Sequence, residues 1–292
     1  MMAFPPEGTA VSSPDGRCII SSPFKGEVGR GTGSGRYNMH KSNIPKSANG
    51  VAIRVKDLEK SFGKFTAVNR ITFSVRKGEI FGFLGANGSG KSTTIRMLCG
   101  ILTPTAGEGI VAGYDIFREP EEIKGAIGYM SQKFSLYEDL SPWENIRFYL
   151  GIYNVPPSLW EERTTWILET TQLGDVRNRL TRELPPGWRQ SLALGCALLH
   201  QPEILFLDEP TSGVDPLTRQ RFWDLIRQLA AGGITIFVTT HYMDEARHCE
   251  RIVMLNLGAI VAAGSPAEII ARACPNREDA DLNDAFITLM KN

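Results

Sequence analysis

A run of eight residues combines glycines with a lysine and a hydroxyl side chain. The pattern G-x-x-x-x-G-K-S/T is matched, with Thr93 directly after it, by Gly85, Ala86, Asn87, Gly88, Ser89, Gly90, Lys91 and Ser92. Glycines let such a loop turn its backbone N–H groups toward phosphate oxygens, and a following helix adds the positive end of its dipole. Lys91 is expected to reach the β- and γ-phosphates of a nucleotide, and Ser92 to bind Mg²⁺. The run therefore predicts a nucleoside triphosphate site.

The segments on both sides of this loop have the character that such a site requires. The short apolar run Ile80–Leu84 predicts a buried strand before the loop, and the spacing after it predicts a helix from Lys91 to Cys99. A chance glycine-rich turn is the alternative. The lysine, the hydroxyl and the preceding strand together disfavour it.

Two adjacent carboxylates stand at the end of a second apolar run. Ile204–Leu207 predicts a buried strand that leads into Asp208 and Glu209, and the ends of parallel strands face the ligand crevice of a sheet. Asp208 is expected to hold the water shell of Mg²⁺. Glu209, which strand alternation would point the other way, is expected to polarise an attacking water. A single carboxylate would fit an ordinary strand-to-loop junction, whereas this pair beyond a phosphate loop favours nucleotide hydrolysis.

The elements that must position these residues predict a mostly parallel α/β core. Alternating apolar residues at Val51–Val55 and Ile71–Val75 predict a small antiparallel sheet near the start. Further buried strands are predicted at Ile127–Met130, Ile234–Thr239 and Arg251–Leu255. Residues 141–200 break the alternation of strands and helices, because helical spacing alone occupies Pro142–Tyr153, Ser158–Leu173 and Trp188–Leu199. An α-helical subdomain inserted into the α/β core is therefore expected.

Composition excludes several other classes of protein. The 292 residues contain 32 Lys+Arg and 32 Asp+Glu, so no net charge favours nucleic acid as a partner. The 5 cysteines are widely spaced, which indicates reduced thiols rather than a metal site or a disulfide framework. No apolar run approaches the about 18 residues of a membrane helix, and the N-terminus lacks the pattern of a secretory leader. If the protein acts at a membrane, a partner is expected to supply the span.

Three segments are expected along the chain. Residues 1–50 are rich in Gly, Ser and Pro and are predicted to be a disordered N-terminal extension. Residues 51–264 are expected to form the nucleotide-binding domain, with its helical subdomain at about 141–200. Residues 265–292 are expected to form a C-terminal helical tail.

The chain resembles the ATP-binding cassette (ABC) family of P-loop NTPases, because further residues match the motifs of that family in chain order. Gln132 matches the glutamine loop, which in the family senses Mg²⁺ and the attacking water. Asp215, in Ser212-Gly213-Val214-Asp215, matches the loop that crosses a dimer interface. His241 matches the switch histidine that contacts the γ-phosphate. Phe62 matches the aromatic residue that stacks on adenine, although it would equally fit the core of the first sheet.

The resemblance, which covers roughly residues 51–264, implies a site with divided roles. ATP and Mg²⁺ are the implied ligands. The implied metal-site residues are Ser92, Gln132 and Asp208, and the implied catalytic residues are Glu209, His241 and Gln132. A second cassette, identical or not, would close the site head to tail. A separate membrane-spanning permease would hold the chain at the cytoplasmic face of the membrane.

One motif of the family is altered. The signature peptide Leu-Ser-Gly-Gly-Gln, which meets the γ-phosphate bound by the other subunit, is replaced by Leu184-Pro185-Pro186-Gly187-Trp188. Pro185 removes the hydroxyl and an N–H, and Pro186 removes a second N–H. Gly187 remains. Prolines are tolerated in a first helical turn, so a helix from about Trp188 is still expected to start here.

Two features favour the ABC-2 type exporters within the family. Proline-bearing signatures occur in some of them, and the tail Asp281–Ile287 resembles the end of their ATPases. A docking loop for a membrane partner is a further hypothesis, based on the apolar residues Phe134, Leu136 and Tyr137. Packing inside the helical subdomain explains these three residues about as well.

Two alternatives to a transport ATPase remain. One is a non-transport ABC ATPase of translation or DNA repair, but this sequence has neither a second cassette nor room for a long coiled coil between Lys91 and Asp208. The other is a regulatory module with weak turnover because of the altered signature. Glu209 and His241, both present, argue against it.

Overall fold

The computed structural model describes residues 50–133, 135–277 and 279–291. The predicted extension over residues 1–50 therefore lies, apart from Gly50, outside the described residues, and so does Phe134. The described strands are β1 (Val51–Phe62), β2 (Phe65–Arg76), β3 (Ile80–Gly85), β4 (Ala106–Val111), β5 (Tyr114–Asp115), β6 (Ile127–Met130), β7 (Ile204–Asp208), β8 (Thr235–Thr240), β9 (Arg251–Asn256) and β10 (Ala259–Gly264).

The described α-helices are α1 (Lys91–Leu98), α2 (Pro120–Ala126), α3 (Pro142–Ile152), α4 (Trp160–Thr170), α5 (Pro186–Leu198), α6 (Pro216–Ala231), α7 (Pro266–Ala273) and α8 (Leu282–Lys291). Short 3-10 turns lie at Pro157–Leu159, Gly174–Val176, Thr181–Glu183 and Met243–His248. Among the described helices, none combines the length and apolar character needed to cross a membrane.

The larger sheet has the strand order β10-β9-β3-β8-β7-β6. All neighbouring pairs are parallel except β10 with β9. Every residue of β3, β7 and β8 is buried, as expected for parallel strands that are covered on both faces. The carboxyl ends of β3, β6, β7 and β8 therefore open onto one edge of the sheet, where the loops that follow them meet.

The smaller sheet is antiparallel and has the order β2-β1-β4-β5. Its apolar face packs with one face of the larger sheet through a layer of phenylalanines whose ring centroids lie 5.3–6.1 Å apart, formed by Phe73, Phe81, Phe83, Phe206 and Phe237. Helix α1 contributes Ile95 and Leu98 to the same core.

Helices α3, α4 and α5 pack with α6 and the other face of the larger sheet in a second core. Helix α3 starts at a capping box, in which the Ser141 hydroxyl accepts from Glu144 N and the Glu144 carboxylate accepts from Ser141 N. Two otherwise unsatisfied backbone groups are paired in this way. This architecture has the antiparallel sheet, the helices and the mostly parallel core of the predicted fold class.

Element boundaries differ from the sequence pattern where proline or a left-handed residue decides them. Helix α5 begins at Pro186 rather than at Trp188, because the fixed φ of proline suits the first helical position. Helix α4 ends at Thr170, and Gln172 beyond it has a φ of 56°, which cannot continue a right-handed helix. The sequence pattern does not predict β4, whose Gly107 and Gly109 interrupt the alternation of apolar residues.

Candidate active site

The glycine-rich loop joins the end of β3 at Gly85 to the start of α1 at Lys91. Gly88 and Gly90 have φ values of 81° and 105°, which glycine adopts without strain. Space is limiting as well, because a Cβ atom on Gly90 would lie 2.6 Å from the Ala67 carbonyl oxygen and one on Gly85 would lie 2.6 Å from the Leu255 carbonyl oxygen. The loop conformation therefore requires glycine at both Gly85 and Gly90.

The loop presents hydrogen-bond donors that have no partner of their own. The buried Ser89 hydroxyl makes no hydrogen bond within the described residues, and the first N–H groups of α1 have no carbonyl ahead of them in the helix. A cavity of about 480 Å³ opens beside them, lined by Phe65, Ala67, Asn87, Gly88, Gly90, Lys91, Ser92, Thr93, Gln132 and Glu209. These donors fit an anionic polyphosphate.

Lys91 lies at the base of this cavity and is 4% exposed. Its Nζ atom donates to the carbonyl oxygens of Gly85, at 2.9 Å, and Ala86, at 3.2 Å. It also lies 3.1 Å from the Glu209 Oε1 atom. A buried ammonium group requires such compensation, so the loop and Glu209 together hold this charge in place.

Asp208 occupies the last position of β7 and faces the start of α1. Its Oδ1 atom accepts hydrogen bonds from Ser92 Oγ at 3.2 Å and from Thr239 Oγ1 at 2.7 Å. Burial raises the pKa of Asp208, and these two hydrogen bonds oppose that change. Within the described residues, no three His, Cys, Asp or Glu side chains converge on a metal-sized space. One hydroxyl and one carboxylate nevertheless fit Mg²⁺, which takes few protein ligands and completes its shell with water and substrate phosphates.

Glu209 is the point at which the other polar side chains meet. Its Oε2 atom accepts from Gln132 Nε2 at 3.1 Å and lies 3.1 Å from His241 Nδ1. Gln132 follows the end of β6, and His241 follows the end of β8. Four polar side chains that lie far apart in the sequence, those of Lys91, Gln132, Glu209 and His241, are thus brought together at one edge of the sheet.

The orientation of Glu209 differs from the expectation of strand alternation. Both Asp208 and Glu209 face the glycine-rich loop, through Ser92 and Lys91 respectively. Strand β7 ends at Asp208, and Glu209 has a φ of 48°. The left-handed backbone of Glu209 reverses the direction in which its side chain would otherwise point. The alternation of side chains along a strand therefore applies only as far as Asp208.

The aromatic residue beside the loop is Phe65. Phe62, which the sequence pattern assigns to adenine, does not line the described cavity, whereas Phe65, its cross-strand partner in the β1–β2 hairpin, does. Both rings are exposed, at 50% for Phe62 and 64% for Phe65. The Lys60 Nζ atom lies 5.0 Å from the centroid of the Phe62 ring. A prediction of the β1–β2 pairing could have identified Phe65 as a candidate from the sequence, but no sequence motif does.

Gly187 and Asp215 lie at a different place from the cavity. A Cβ atom on Gly187 would lie 2.3 Å from the Thr218 Cγ2 atom, so the start of α5 packs directly on the first turn of α6. Asp215 caps α6 by accepting from the N–H groups of Leu217, at 3.1 Å, and Thr218, at 3.0 Å. Neither residue is among the described residues that line the cavity beside the glycine-rich loop.

Comparison with known proteins identifies ATP-binding proteins of ABC transporters among the relatives of this chain. The family model for ABC transporters matches residues 68–212. The chain is 45% identical to the Escherichia coli (strain K12) protein named "Probable multidrug ABC transporter ATP-binding protein YbhF", over 82% of this chain and 41% of that protein. It thus spans less than half the length of this relative. It is 35% identical to the Bacillus subtilis (strain 168) "Linearmycin resistance ATP-binding protein LnrL", over 82% of this chain and 79% of that protein.

A solved structure gives the same answer at the level of the fold. The "Structure of ATP binding subunit of ABC transporter" superposes with a TM-score of 0.73 at 28% identity, over 82% of this chain and 99% of that one. The match to the Bacillus subtilis protein, which is of similar length, decides the family, because it includes both the glycine-rich loop and the acidic strand end. The chain belongs to the family of ABC transporter ATP-binding proteins.

Proposed function

We propose that this chain binds ATP with Mg²⁺, hydrolyses it, and thereby drives transport through a separate membrane-spanning subunit. The observation that carries the proposal is the convergence of Lys91, Gln132 and His241 on the Glu209 carboxylate, next to the glycine-rich loop. An isolated phosphate-binding loop would not require a glutamine, a histidine and a second carboxylate at the same edge of the sheet.

We assign the binding of ATP to the glycine-rich loop and the binding of Mg²⁺ to Ser92 and Asp208. The N–H groups of residues 85–93 and the Ser89 hydroxyl would donate to the phosphates. Ser92 and Asp208 would hold Mg²⁺, with Gln132 near it. When bound, Mg²⁺ supplies positive charge that offsets the negative charge on the phosphate oxygens. An aromatic ring from the β1–β2 hairpin would cover the adenine base.

Hydrolysis is assigned to Glu209. The ion pair between Lys91 and Glu209, at 3.1 Å and almost fully buried, neutralises both groups. Phosphates that enter the loop compete for the Lys91 ammonium group, which releases Glu209 to accept a proton from water. Gln132 and His241, each 3.1 Å from Glu209 Oε2, would orient that carboxylate and the water.

The protein is proposed to work as a dimer with a permease. Gly187 and Asp215 lie apart from the described cavity of their own chain, so they are available to a site on a second cassette, identical or not. The names of the relatives, which mention multidrug transport and linearmycin resistance, support export as the direction. The permease would hold the chain at the cytoplasmic face of the membrane, and it would contain the contacts to the transported compound.

The test compares two substitutions at opposite ends of β7. Glu209→Gln is expected to lower Mg²⁺-dependent ATP turnover by at least about a hundredfold while ATP still binds. Glu203→Gln is the matched control, because Glu203 is exposed and lies before the strand. Turnover is measured by phosphate release from the protein purified with its membrane subunit, and affinity by calorimetry. Equal turnover of the wild type and Glu209→Gln would remove Glu209 as the general base.

Localisation is tested separately from hydrolysis. Membrane fractions should contain the protein in cells that make the permease and should lack it in cells that do not, because the permease is proposed to hold the chain at the membrane. Recovery with ribosomes or DNA instead would favour a non-transport ABC ATPase.

A further inference from the structure

Glu245 is a buried carboxylate outside the set of residues assigned above. It lies in the 3-10 turn Met243–His248 after β8 and is 2% exposed. Its Oε1 atom accepts a hydrogen bond from the Thr211 hydroxyl and lies 3.6 Å from Arg219 Nε. Burial of a carboxylate is costly unless the group is paired and hydrogen-bonded. Glu245 therefore constrains the positions of both Thr211 and Arg219.

Arg219 makes a second contact through its guanidinium group. Its Cζ atom lies 4.6 Å from the centroid of the Tyr242 ring. The Tyr242 ring centroid lies in turn 4.0 Å from that of His241. A planar guanidinium group is suited to such stacking, and lysine is not. Arg219, on α6, is thus packed against the immediate neighbour of the histidine that contacts Glu209.

These contacts form a path from the loop after β7 to the loop after β8. Thr211 lies two residues after Glu209 along the chain, and His241 returns to the Glu209 Oε2 atom at 3.1 Å. Between them stand Glu245, Arg219 and Tyr242. The His241 ring is 29% exposed, and it packs against the Tyr242 ring.

We propose that Arg219 is a positioning residue for hydrolysis: anchored by Glu245, it packs against Tyr242 and thereby sets the His241 ring relative to Glu209. This inference rests on the role proposed above for His241. Helix α6 begins directly after Asp215, the residue assigned to contact with a second cassette. A displacement of the start of α6 would therefore move Arg219, and with it the support of His241.

The first experiment separates turnover from binding. Arg219→Gln is expected to lower kcat for ATP by between about tenfold and about a hundredfold, with KM changed by less than about twofold. Arg219→Lys keeps the charge near Glu245 but not the planar face, so its kcat should lie between those of the wild type and Arg219→Gln. Arg221→Gln is the control, because Arg221 is exposed on the same helix and its replacement removes the same charge.

The second experiment observes His241 directly and does not require hydrolysis. The chain has 4 histidines, and the NMR signal of His241 in histidine-labelled protein is identified by its loss in His241→Gln. Arg219→Gln should shift this signal, because the adjacent Tyr242 ring moves, while the His200 signal and the spectrum of Arg221→Gln stay unchanged. Tyr242→Leu removes the same support and gives the comparison if Arg219→Gln does not fold.

The outcomes distinguish this inference from the proposed function. An unchanged His241 signal in both Arg219→Gln and Tyr242→Leu overturns the positioning role, whatever the turnover. A shifted signal with unchanged kcat also overturns the positioning role, because the His241 ring would then move without any effect on turnover, while hydrolysis by Glu209 is tested separately with Glu209→Gln. A shifted signal with lower kcat and unchanged KM supports both. Equal losses of kcat in Arg219→Gln and Arg221→Gln would show that the effect comes from the loss of positive charge on α6. This result would also overturn the inference.

Discussion

At the scale of single residues, Glu209 combines an unusual backbone with an unusual number of side-chain contacts. Its N–H group donates to the Thr239 backbone oxygen at 3.1 Å and lies 3.0 Å from the Thr239 hydroxyl. A left-handed conformation costs a non-glycine residue about 1 kcal/mol or more and persists where surrounding contacts hold it. Thr239, Lys91 and Gln132 supply those contacts. The strain at Glu209 is therefore coupled to the orientation of the general base that we propose.

The choice between Phe62 and Phe65 also belongs to this scale. Because only Phe65 lies in the described lining of the cavity, Phe65→Leu is expected to weaken ATP binding by about threefold to about tenfold, as loss of an aromatic contact would. Phe62→Leu should have less effect. Calorimetry with ATP and with inorganic triphosphate checks this, since a ring that contacts the base alters only the former. A larger loss of ATP affinity in Phe62→Leu would instead assign the base to Phe62.

At the scale of elements, α5 and α6 approach each other at their first turns. Pro185 and Pro186 start α5 without a side-chain cap, and Gly187 permits the close contact with Thr218. The altered signature thus keeps a helix start but has fewer donors than serine and glycine would present. The buried Gln190 amide donates to the Pro210 backbone oxygen, which ties the same turn to the segment after Glu209.

A pair of substitutions tests this contact. Gly187→Ala should lower the free energy of unfolding by about 1–3 kcal/mol, because the new methyl group overlaps the Thr218 methyl group. Adding Thr218→Ser, which removes that methyl group, should restore most of the loss. Gly151→Ala in α3 is the control, since among the described residues no atom outside its own stretch of the helix lies within 4 Å of its Cβ position, and it should be neutral or stabilising. Urea unfolding measures all four proteins. A loss in Gly187→Ala that Thr218→Ser does not reverse would place its cause elsewhere.

At the scale of the whole molecule, the larger, mostly parallel sheet separates two cores. The phenylalanine layer lies on one face, and the helical region lies on the other. His200 connects the helical region to the sheet, since its ring stacks on Tyr153 with 4.0 Å between centroids and its Nε2 atom lies 2.9 Å from the Ile127 carbonyl oxygen. Burial lowers the pKa of His200, and the hydrogen bond to Ile127 opposes this.

The sign of this pKa change predicts how stability depends on pH. His200 binds a proton less readily in the folded protein than in the unfolded chain, so its contribution is complete above its ordinary pKa of 6.5 and decreases as the pH falls below that value. Between about pH 7.5 and about pH 5.5, the wild type should therefore lose more unfolding free energy than His200→Gln. Urea unfolding at both pH values measures the difference. Equal losses would show that the His200 pKa is not lowered by folding.

The local sequence by itself determined the parts of the site that depend on short-range spacing. The glycines, Lys91 and Ser92 lie within one turn and one helix start, and Asp208 and Glu209 end a continuous apolar strand. Runs such as Ile80–Leu84 predict buried strands because parallel strands are apolar on both faces. The order of these elements along the chain was therefore sufficient to predict the fold class, whereas the family was predicted from the resemblance of further motifs, such as those of Gln132 and His241.

Only the tertiary structure decided which side chains meet. The direction of Glu209 depends on a left-handed residue that no local pattern predicts. The 3.1 Å ion pair between Lys91 and Glu209, the position of Phe65 beside the loop, and the contact of Arg219 with Tyr242 join residues from different elements. Such contacts result from strand order and helix packing, which bring distant residues together. The spacing of residues along the chain does not predict these distances.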